Sequence, residues 1–163
     1  MKKTAFIIIP LLVILDQATK YLADKLISTF KPVELLPFLH LVNLRNEGAA
    51  FGMFKSFGNN IFIIISLVAI AVIFFMLIKG KEDPLGLSLI LGGATGNLMD
   101  RFFRGSVVDF IDVFAGRFHW PAFNVADSAL TIGIGLIFLN LLRGDRTAQM
   151  KNKQAGLSQN KNN

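Results

Sequence analysis

Two aspartates, Asp109 and Asp127, have the residue type and setting that acid–base catalysis requires. Asp109 stands in the apolar sequence VVDF (107–110), and Asp127 ends the sequence NVAD (124–127) in the first turn of a predicted helix. Two carboxylates brought close together in a dry site do not both ionise easily, so one keeps its proton. Such a pair can activate a water and protonate a leaving amine, which is the chemistry of metal-free peptide hydrolysis.

A second interpretation of the two aspartates is structural. Asp127 would then cap its helix at the positive end of the helix dipole, and Asp109 would be solvated. The separation of 18 residues carries no chemical information by itself. From the spacing alone, the structural interpretation is therefore favoured.

Further polar residues fall near the predicted outer ends of the apolar segments, where ionisable groups are costly and need a reason. They are Asp16, Lys20, Asn97, Asp100, Arg101 and Asn124. Asp16 and Lys20 are four residues apart with the acid first, which favours a structural ion pair at a helix end. Arg101 is equally compatible with pairing to an acid on another helix and with contacting a carbonyl or anionic group of a substrate.

The composition excludes several kinds of site. There is no cysteine, so a thiol nucleophile, a Cys-ligated zinc and a disulfide are impossible. The only histidines are His40 and His119, so a histidine-rich metal site is unavailable. We expect no metal and no other cofactor.

Clustered apolar residues predict that these groups are positioned by membrane helices. Ile61 to Ile78 is an 18-residue run whose only polar side chain is Ser66, long enough to cross a bilayer. The same pattern predicts four transmembrane helices over 4–23, 61–78, 85–103 and 125–142. Residues 1–146 would form one membrane domain, followed by a disordered polar cytoplasmic tail over 147–163. The first segment is interpreted as a retained helix because no convincing signal cleavage site follows it.

The connections between the helices differ in character. Pro32 and Pro37 interrupt helix in residues 24–60, and Phe38 to Arg45 has the composition of a strand. We therefore expect a small β element outside the bilayer in this first outer loop. Residues 105–123 are expected to be irregular, with a turn at Ala115-Gly116.

The basic residues indicate the orientation. If both termini face the cytoplasm, nine basic and three acidic residues lie on that side and account for the whole net charge of +6. This asymmetry follows the positive-inside rule and requires an even number of helices. Because topology explains the charge, we expect no nucleic-acid partner.

Five segments, in order along the chain, resemble lipoprotein signal peptidase, also called signal peptidase II. They are Asp16-Gln17-x-x-Lys20, Asn46-x-Gly48-Ala49-Ala50-Phe51, Gly93-Ala94-x-Gly96-Asn97-x-x-Asp100-Arg101, Val107-Val108-Asp109-Phe110 and Phe123-Asn124-x-Ala126-Asp127-Ser128. The resemblance spans most of the chain, and the motifs contain no departure from the family pattern. The segment after Arg146 carries no motif.

The resemblance implies a fold and an activity. It implies a four-helix aspartic peptidase of the bacterial inner membrane, with both termini cytoplasmic, the active site at the outer face and a periplasmic β-cradle in residues 24–60. It implies cleavage of diacylglyceryl-modified prolipoproteins just before the lipid-bearing cysteine. Asp109 and Asp127 match the catalytic dyad. Positions that shape or contact the substrate site are matched by Asn46, Gly48, Asn97, Arg101, Asn124 and Ala126, and supporting positions by Asp16, Lys20 and Asp100.

The expected partners are lipid-modified prolipoproteins and membrane lipids, and we expect a monomer. One alternative is a metal-dependent membrane lipid head-group transferase or phosphatase, in which Asp100, Asp109, Asp112 and Asp127 would supply oxygens to a divalent cation. Another is a small transporter or assembly factor that uses its buried charges for ion movement or partner contact.

Overall fold

Four helices and four strands are found in residues 2–48, 58–80 and 83–159, which are the residues that the computed structural model describes. Of residues 2–4, 6 and 144–159 only the backbone is described. The helices are α1 (Lys2–Leu26), α2 (Gly58–Lys79), α3 (Pro84–Arg104) and α4 (Val125–Gln159). The strands are β1 (Val33–Leu36), β2 (Leu39–Asn46), β3 (Val107–Ala115) and β4 (Phe118–His119).

Helices are present at all four predicted positions, and the first three extend one to three residues beyond each predicted bound. They extend because apolar patterning stops before backbone hydrogen bonding does. In α3 the signals at both ends are local. Asp83 accepts hydrogen bonds from the N–H groups of Leu85 and Gly86, both at 3.2 Å, and Gly105 ends the helix with a left-handed φ of 76°.

The fourth helix differs most from its prediction. It begins at Val125 as predicted but continues to Gln159, where the sequence predicted an end at Leu142 and disorder from residue 147. The segment contains Ala, Gln, Met, Leu and Lys, all good helix formers, so a helix begun in the apolar segment can continue through it. Residues 160–163 lie outside the described residues.

Two of the helices are long and apolar enough to cross a bilayer. They are α2 over its whole length and α4 over Val125–Arg143. Most apolar side chains of α2 are exposed, as expected of a helix that faces lipid, whereas Leu77 is buried and packs with Leu87 and Leu91 of α3. The other two helices are less apolar because they carry charged residues, which are Asp16 and Lys20 in α1 and Asp100 and Arg101 in α3.

α3 lies at the centre of the helices and packs against α1, α2 and α4. Its small residues Gly92 and Gly96, four positions apart, permit this close packing. A Cβ atom added to Gly92 would lie 2.7 Å from Leu12 Cδ2, and one added to Gly96 would lie 2.5 Å from Asp16 Oδ2. Larger residues at these two positions would push α1 away from α3.

The strands form one antiparallel sheet in the order β1-β2-β3-β4. The β element predicted at Phe38–Arg45 is confirmed as β2. The expectation that residues 105–123 are irregular was wrong, because they contain β3 and β4, joined by a turn at Gly116, whose φ is 60°. The sheet therefore draws on both the α1–α2 and the α3–α4 connections, and not on the first alone.

β3 escaped prediction because its sequence does not alternate between apolar and polar residues. Four successive residues, Val107 to Phe110, are all buried, and two aspartates interrupt the strand. Aspartate is uncommon in strands, and a strand buried on both faces has no period of two. Phe110 packs with Ala23 and Ile27 at the end of α1, which anchors the sheet to the helices.

Polar contacts complete the attachment of the sheet. Arg45 of β2 pairs with Asp24 of α1 at 2.5 Å, and Asn43 Nδ2 donates to the carbonyl of Ile27 at 3.2 Å. In the β2–β3 ladder, Leu44 lies opposite Asp109 and Asn46 lies opposite Val107. This register places the end of β2 beside the first of the two aspartates.

Candidate active site

Asp109 is a buried carboxylate that two asparagines hold in place. It projects from β3 and is only 3% exposed. Its Oδ1 accepts a hydrogen bond from Asn124 Nδ2 at 2.8 Å, and its Oδ2 accepts one from Asn46 Nδ2 at 3.0 Å. Asn46 is oriented in turn because its Oδ1 accepts from the backbone N–H of Gly48 at 3.0 Å. The solvated Asp109 of the structural interpretation is therefore not observed.

Asp127 lies in the first turn of α4 and takes part in a reciprocal cap. Its backbone N–H donates to Asn124 Oδ1 at 2.9 Å, and its own Oδ2 accepts from the N–H of Asn124 at 3.2 Å. The predicted capping role is confirmed, but it uses one oxygen only. The other, Oδ1, accepts from Asn97 Nδ2 of α3 at 2.7 Å.

Asn124 links the two aspartates. Its amide nitrogen donates to Asp109, and its amide oxygen accepts from the backbone of Asp127. It is fully buried, so competing water does not weaken these bonds. The pair is thereby held by protein amides that donate to both carboxylates.

Both aspartates line one cavity of about 880 Å³. One side is formed by the end of β2, including Asn46 and Gly48, and another by α4 from Asp127 to Ile132. Much of the remaining wall is apolar and is contributed by Leu44, Trp120, Pro121, Ala122, Phe123 and Leu130. The cavity therefore places the two aspartates beside an apolar wall suited to an apolar chain, with Arg45 and Glu47 also among its lining residues.

Burial raises the pKa of Asp109 to about 6. The negative charge of Asp127 contributes to this raised pKa, and the hydrogen bonds from Asn46 and Asn124 oppose it. Asp109 therefore exchanges its proton close to neutral pH, as a general acid or base must.

A buried cluster of charges lies behind the aspartates. Lys20 Nζ lies 2.9 Å from Asp16 Oδ2 and 2.9 Å from Asp100 Oδ2, and all three side chains are fully buried. The ion pair predicted from the spacing of Asp16 and Lys20 is confirmed. Asp100 also accepts from the backbone N–H of Val108 at 3.2 Å, so the cluster connects α1 and α3 to β3.

The matched substrate-site positions differ in their contacts. Asn46 and Gly48 line the cavity, and Asn46, Asn97 and Asn124 each donate a hydrogen bond to one of the two aspartates. Ala126 is fully buried, and its N–H donates to Asp16 Oδ1 at 2.9 Å, which joins α4 to the charge cluster.

Arg101 contacts the cavity wall through a backbone carbonyl of a residue that lines it. Its Nη2 donates to the carbonyl of Gly48 at 3.0 Å, and its guanidinium lies over the ring of Phe62 with a centroid distance of 5.0 Å. Its Nη1 is buried and has no hydrogen-bond partner among the described residues. Ala49, Ala50 and Phe51 of the resembling motif lie outside the described residues.

Two contributors were missed at the sequence level. Arg104 binds Asp100 and donates to Gln17 Oε1 at 3.0 Å, so it is a further cation of the charge cluster. Its position four residues after Asp100 was an available signal. Asn59 of α2 donates to the carbonyl of Arg101 at 2.8 Å, and no sequence pattern indicated this contact.

The four aspartates of the metal hypothesis do not converge. Asp100 is engaged by Lys20 and Arg104, and Asp112 binds His119 Nδ1 at 3.0 Å on the sheet. Among the described residues, no group of three or more histidine and acidic side chains has the geometry to hold a metal ion. Of these four aspartates, Asp109 and Asp127 line the same cavity.

The signal peptidase II family model matches residues 8–143 of the chain. The chain belongs to this family. A lipoprotein signal peptidase of Thermodesulfovibrio yellowstonii is 51% identical over 132 residues, covering 80% of this chain and 90% of the relative. One from Halalkalibacterium halodurans is 41% identical over 154 residues, covering 92% and 98%.

Solved structures agree with the family assignment. A bacterial membrane enzyme solved by the in meso method at 2.3 Å has a TM-score of 0.79 and 37% identity, covering 86% of this chain and 88% of its own. A second, at 1.9 Å, has a TM-score of 0.75 with the same identity and covers 86% and 93%. With the apolar helices α2 and α4, the chain is a membrane peptidase of the signal peptidase II family.

Proposed function

We propose that this peptidase removes the signal peptide from diacylglyceryl-modified prolipoproteins, cutting just before the lipid-bearing cysteine, with Asp109 and Asp127 as its catalytic pair. The observation that carries the proposal is that these two carboxylates line one cavity in a member of this family. Each is held by asparagine amides, so neither needs to rearrange before reaction.

In the proposed reaction, the pair shares one proton. The ionised carboxylate takes a proton from a water molecule as the water oxygen attacks the carbonyl carbon of the scissile bond. The protonated carboxyl then donates its proton to the leaving nitrogen as the C–N bond breaks. The products are a signal peptide with a free carboxyl group and a lipoprotein with a free amino terminus. The pair again holds one proton, now on the other carboxyl.

The surroundings of the pair fit such a substrate. Apolar side chains on α4 and at Trp120 and Phe123 continue from the aspartates along the cavity wall. A signal peptide and its lipid chains are apolar, so this wall would hold them while the lipid tail stays in the bilayer between the helices. Arg101 holds the carbonyl of Gly48 and would shape the edge at which the peptide enters.

Cleavage can be tested directly. Purified protein in detergent is incubated with a synthetic lipid-modified prolipoprotein in the presence of EDTA, and the product is followed by gel shift and mass spectrometry. Wild type should cut before the lipidated cysteine, and Asp127→Asn should not. Inhibition by EDTA with recovery in magnesium would favour a metal-dependent lipid enzyme instead. An intact substrate in the presence of folded wild type would overturn the proposal.

The proposal includes a topology with four spans, both termini in the cytoplasm of a bacterial cell, and the active site at the outer face of the inner membrane. The absence of cysteine permits a clean test, because any introduced cysteine is unique. Ser28→Cys and Arg117→Cys should react with a membrane-impermeant maleimide in spheroplasts, since both positions are exposed on the sheet side. Lys79→Cys, at the end of α2, should react only after lysis. The reverse pattern would contradict the orientation.

The proposal also treats the catalytic unit as a monomer, because Asp109 and Asp127 and the asparagines bound to them come from one chain. Light scattering of the active detergent-solubilised enzyme measures this. Activity confined to a dimer fraction would contradict it.

A further inference from the structure

Lys20 makes a contact that its ion pairs do not account for. Besides Asp16 and Asp100, its ammonium group donates to Asn97 Oδ1 at 2.9 Å. An ammonium group has three hydrogens, so these three acceptors satisfy it fully. One of the three bonds therefore leaves the charge cluster and points toward the aspartate pair.

That bond determines which way the Asn97 amide faces. Lys20 has no acceptor, so the atom that faces it must be the amide oxygen, and this oxygen also lies 3.3 Å from the amide nitrogen of Asn124. The amide nitrogen of Asn97 is then left to donate to Asp127 Oδ1 at 2.7 Å. In the flipped orientation, an amide N–H would face an ammonium group and an oxygen would face a carboxylate, and both contacts repel.

The polar contacts of Asn97 among the described residues are with neighbouring side chains. Its oxygen is used by Lys20 and its nitrogen by Asp127, and it is not among the residues that line the cavity. The sequence resemblance matched it to a substrate-site position, but these contacts are those of a residue that supports the acids.

We propose that Lys20 and Asn97 form a positioning pair, in which Lys20 fixes the orientation of the Asn97 amide and Asn97 thereby holds Asp127 in its reactive position. The inference rests on the proposed function, because it assigns a role to a residue of that site. The inference gives α1 a role in the site although its described side chains do not line the cavity. Lys20 on α1 orients Asp127 on α4 through the amide of Asn97 on α3.

Asn97→Leu tests the amide. Leucine has nearly the same size but cannot donate, so Asp127 loses one of its donors. The expected result is a fall in kcat of about 10- to 100-fold, because misplacement of a reacting group has costs of this order. The KM should stay within about twofold of wild type. Thr95→Val is the matched control, since within the described part of the chain this α3 hydroxyl bonds only to the carbonyl of Leu91, and it should keep wild-type kinetics.

Lys20 is tested in an Asp16→Asn background. Without this change, a neutral residue at position 20 would leave the buried Asp16 carboxylate without its cation. Lys20→Met and Lys20→Gln have similar shapes, but only glutamine can donate to Asn97 Oδ1. Lys20→Met should lower kcat and Lys20→Gln should restore most of it. When Asn97→Leu is also present, the kcat values of the Lys20→Met and Lys20→Gln variants should differ by less than about twofold, because residue 20 acts through the amide that Asn97→Leu removes.

The outcomes separate the two proposals. If wild type does not cut the substrate, the proposed function fails. If wild type cuts but Asn97→Leu raises KM with kcat unchanged, Asn97 contacts the substrate and the positioning pair is overturned. Equal losses from Lys20→Met with and without Asn97 would overturn the part assigned to Lys20. Thermal unfolding in detergent identifies any variant that does not fold, and the comparison of Asn97→Leu with Thr95→Val then decides.

Discussion

Asn46 donates a hydrogen bond of 3.0 Å to Asp109 across 63 residues of sequence. The bond joins the end of β2 to β3, and the strand register beside it pairs Leu44 with Asp109. The sheet therefore does more than cover one end of the helices. It fixes one of the two acids and its donor relative to α4, which carries the other acid.

Asp109→Asn and Asp127→Asn should each abolish cleavage while the protein still inserts and folds. An amide cannot exchange the proton that the pair must pass between water and the leaving nitrogen. Activity is measured with the lipid-modified substrate, and folding by thermal unfolding in detergent. Asp24→Asn is the matched control, because Asp24 is a partly exposed aspartate that does not itself line the cavity, and it should retain activity within about threefold of wild type. Turnover by either dyad variant, once contamination is excluded, would remove that residue from the mechanism.

The stability of the enzyme should fall as pH rises from about 4 to 6. The pKa of Asp109 is raised from 3.8 to about 6 in the folded protein, so the folded state binds the proton more tightly than the unfolded state. Stability is then gained when the carboxyl is protonated and lost as pH rises through this window, by about 3 kcal/mol at most. Thermal unfolding across this range should show that Asp109→Asn has a flatter dependence than wild type. Identical slopes would contradict the assigned pKa shift.

Gly96→Ala should damage the charge cluster. The added Cβ would lie 2.5 Å from Asp16 Oδ2, so Asp16 must move away from both Lys20 and the N–H of Ala126. We expect a lower unfolding temperature and reduced kcat. Gly135→Ala on α4 is the control, since nothing lies within 4 Å of its added Cβ. Alanine is the better helix former, so this control should be neutral or stabilising by up to about 1 kcal/mol. Equal effects at both sites would show that close packing at Gly96 is unimportant.

Asp100→Asn should destabilise the protein far more than Asp24→Asn. Asp100 is fully buried between Lys20 and Arg104, and removing one partner of a buried pair costs about 3–5 kcal/mol. Asp24 and Arg45 are each about one-third exposed, and such pairs contribute about 0–1 kcal/mol. Denaturant or thermal unfolding in the same detergent compares the two. Similar losses would mean that burial does not govern the strength of these pairs.

The sequence predicted those features whose cause is local. Runs of apolar residues located the four helices, and the spacing of Asp16 and Lys20 predicted their ion pair. β2 was recognised because its composition is that of a strand and two prolines exclude helix before it. In each case the determining residues lie within a few positions of one another.

The features that were missed depend on contacts between distant segments. The pairing of β2 with β3 is invisible in either strand alone, and Val107 to Phe110 have no alternation because both faces of β3 are buried. Nothing near Asp100 in sequence indicates that it binds Lys20, which lies on another helix. The role of Asn97 could be found only from the direction of its amide, which its neighbours Lys20 and Asp127 determine in three dimensions.

The bond between Asn46 and Asp109 also bears on how the enzyme is made. During translation, Asn46 is added to the chain well before Asp109, and Asp127, at the start of α4, is added later still. Asp109 and Asp127 cannot be brought together until β3 has paired with β2 and α4 has been made. If the two aspartates are the catalytic pair, as proposed, a nascent chain or one truncated before α4 would carry no working peptidase, and the cell membrane would be exposed to this proteolytic activity only after α4 is in place.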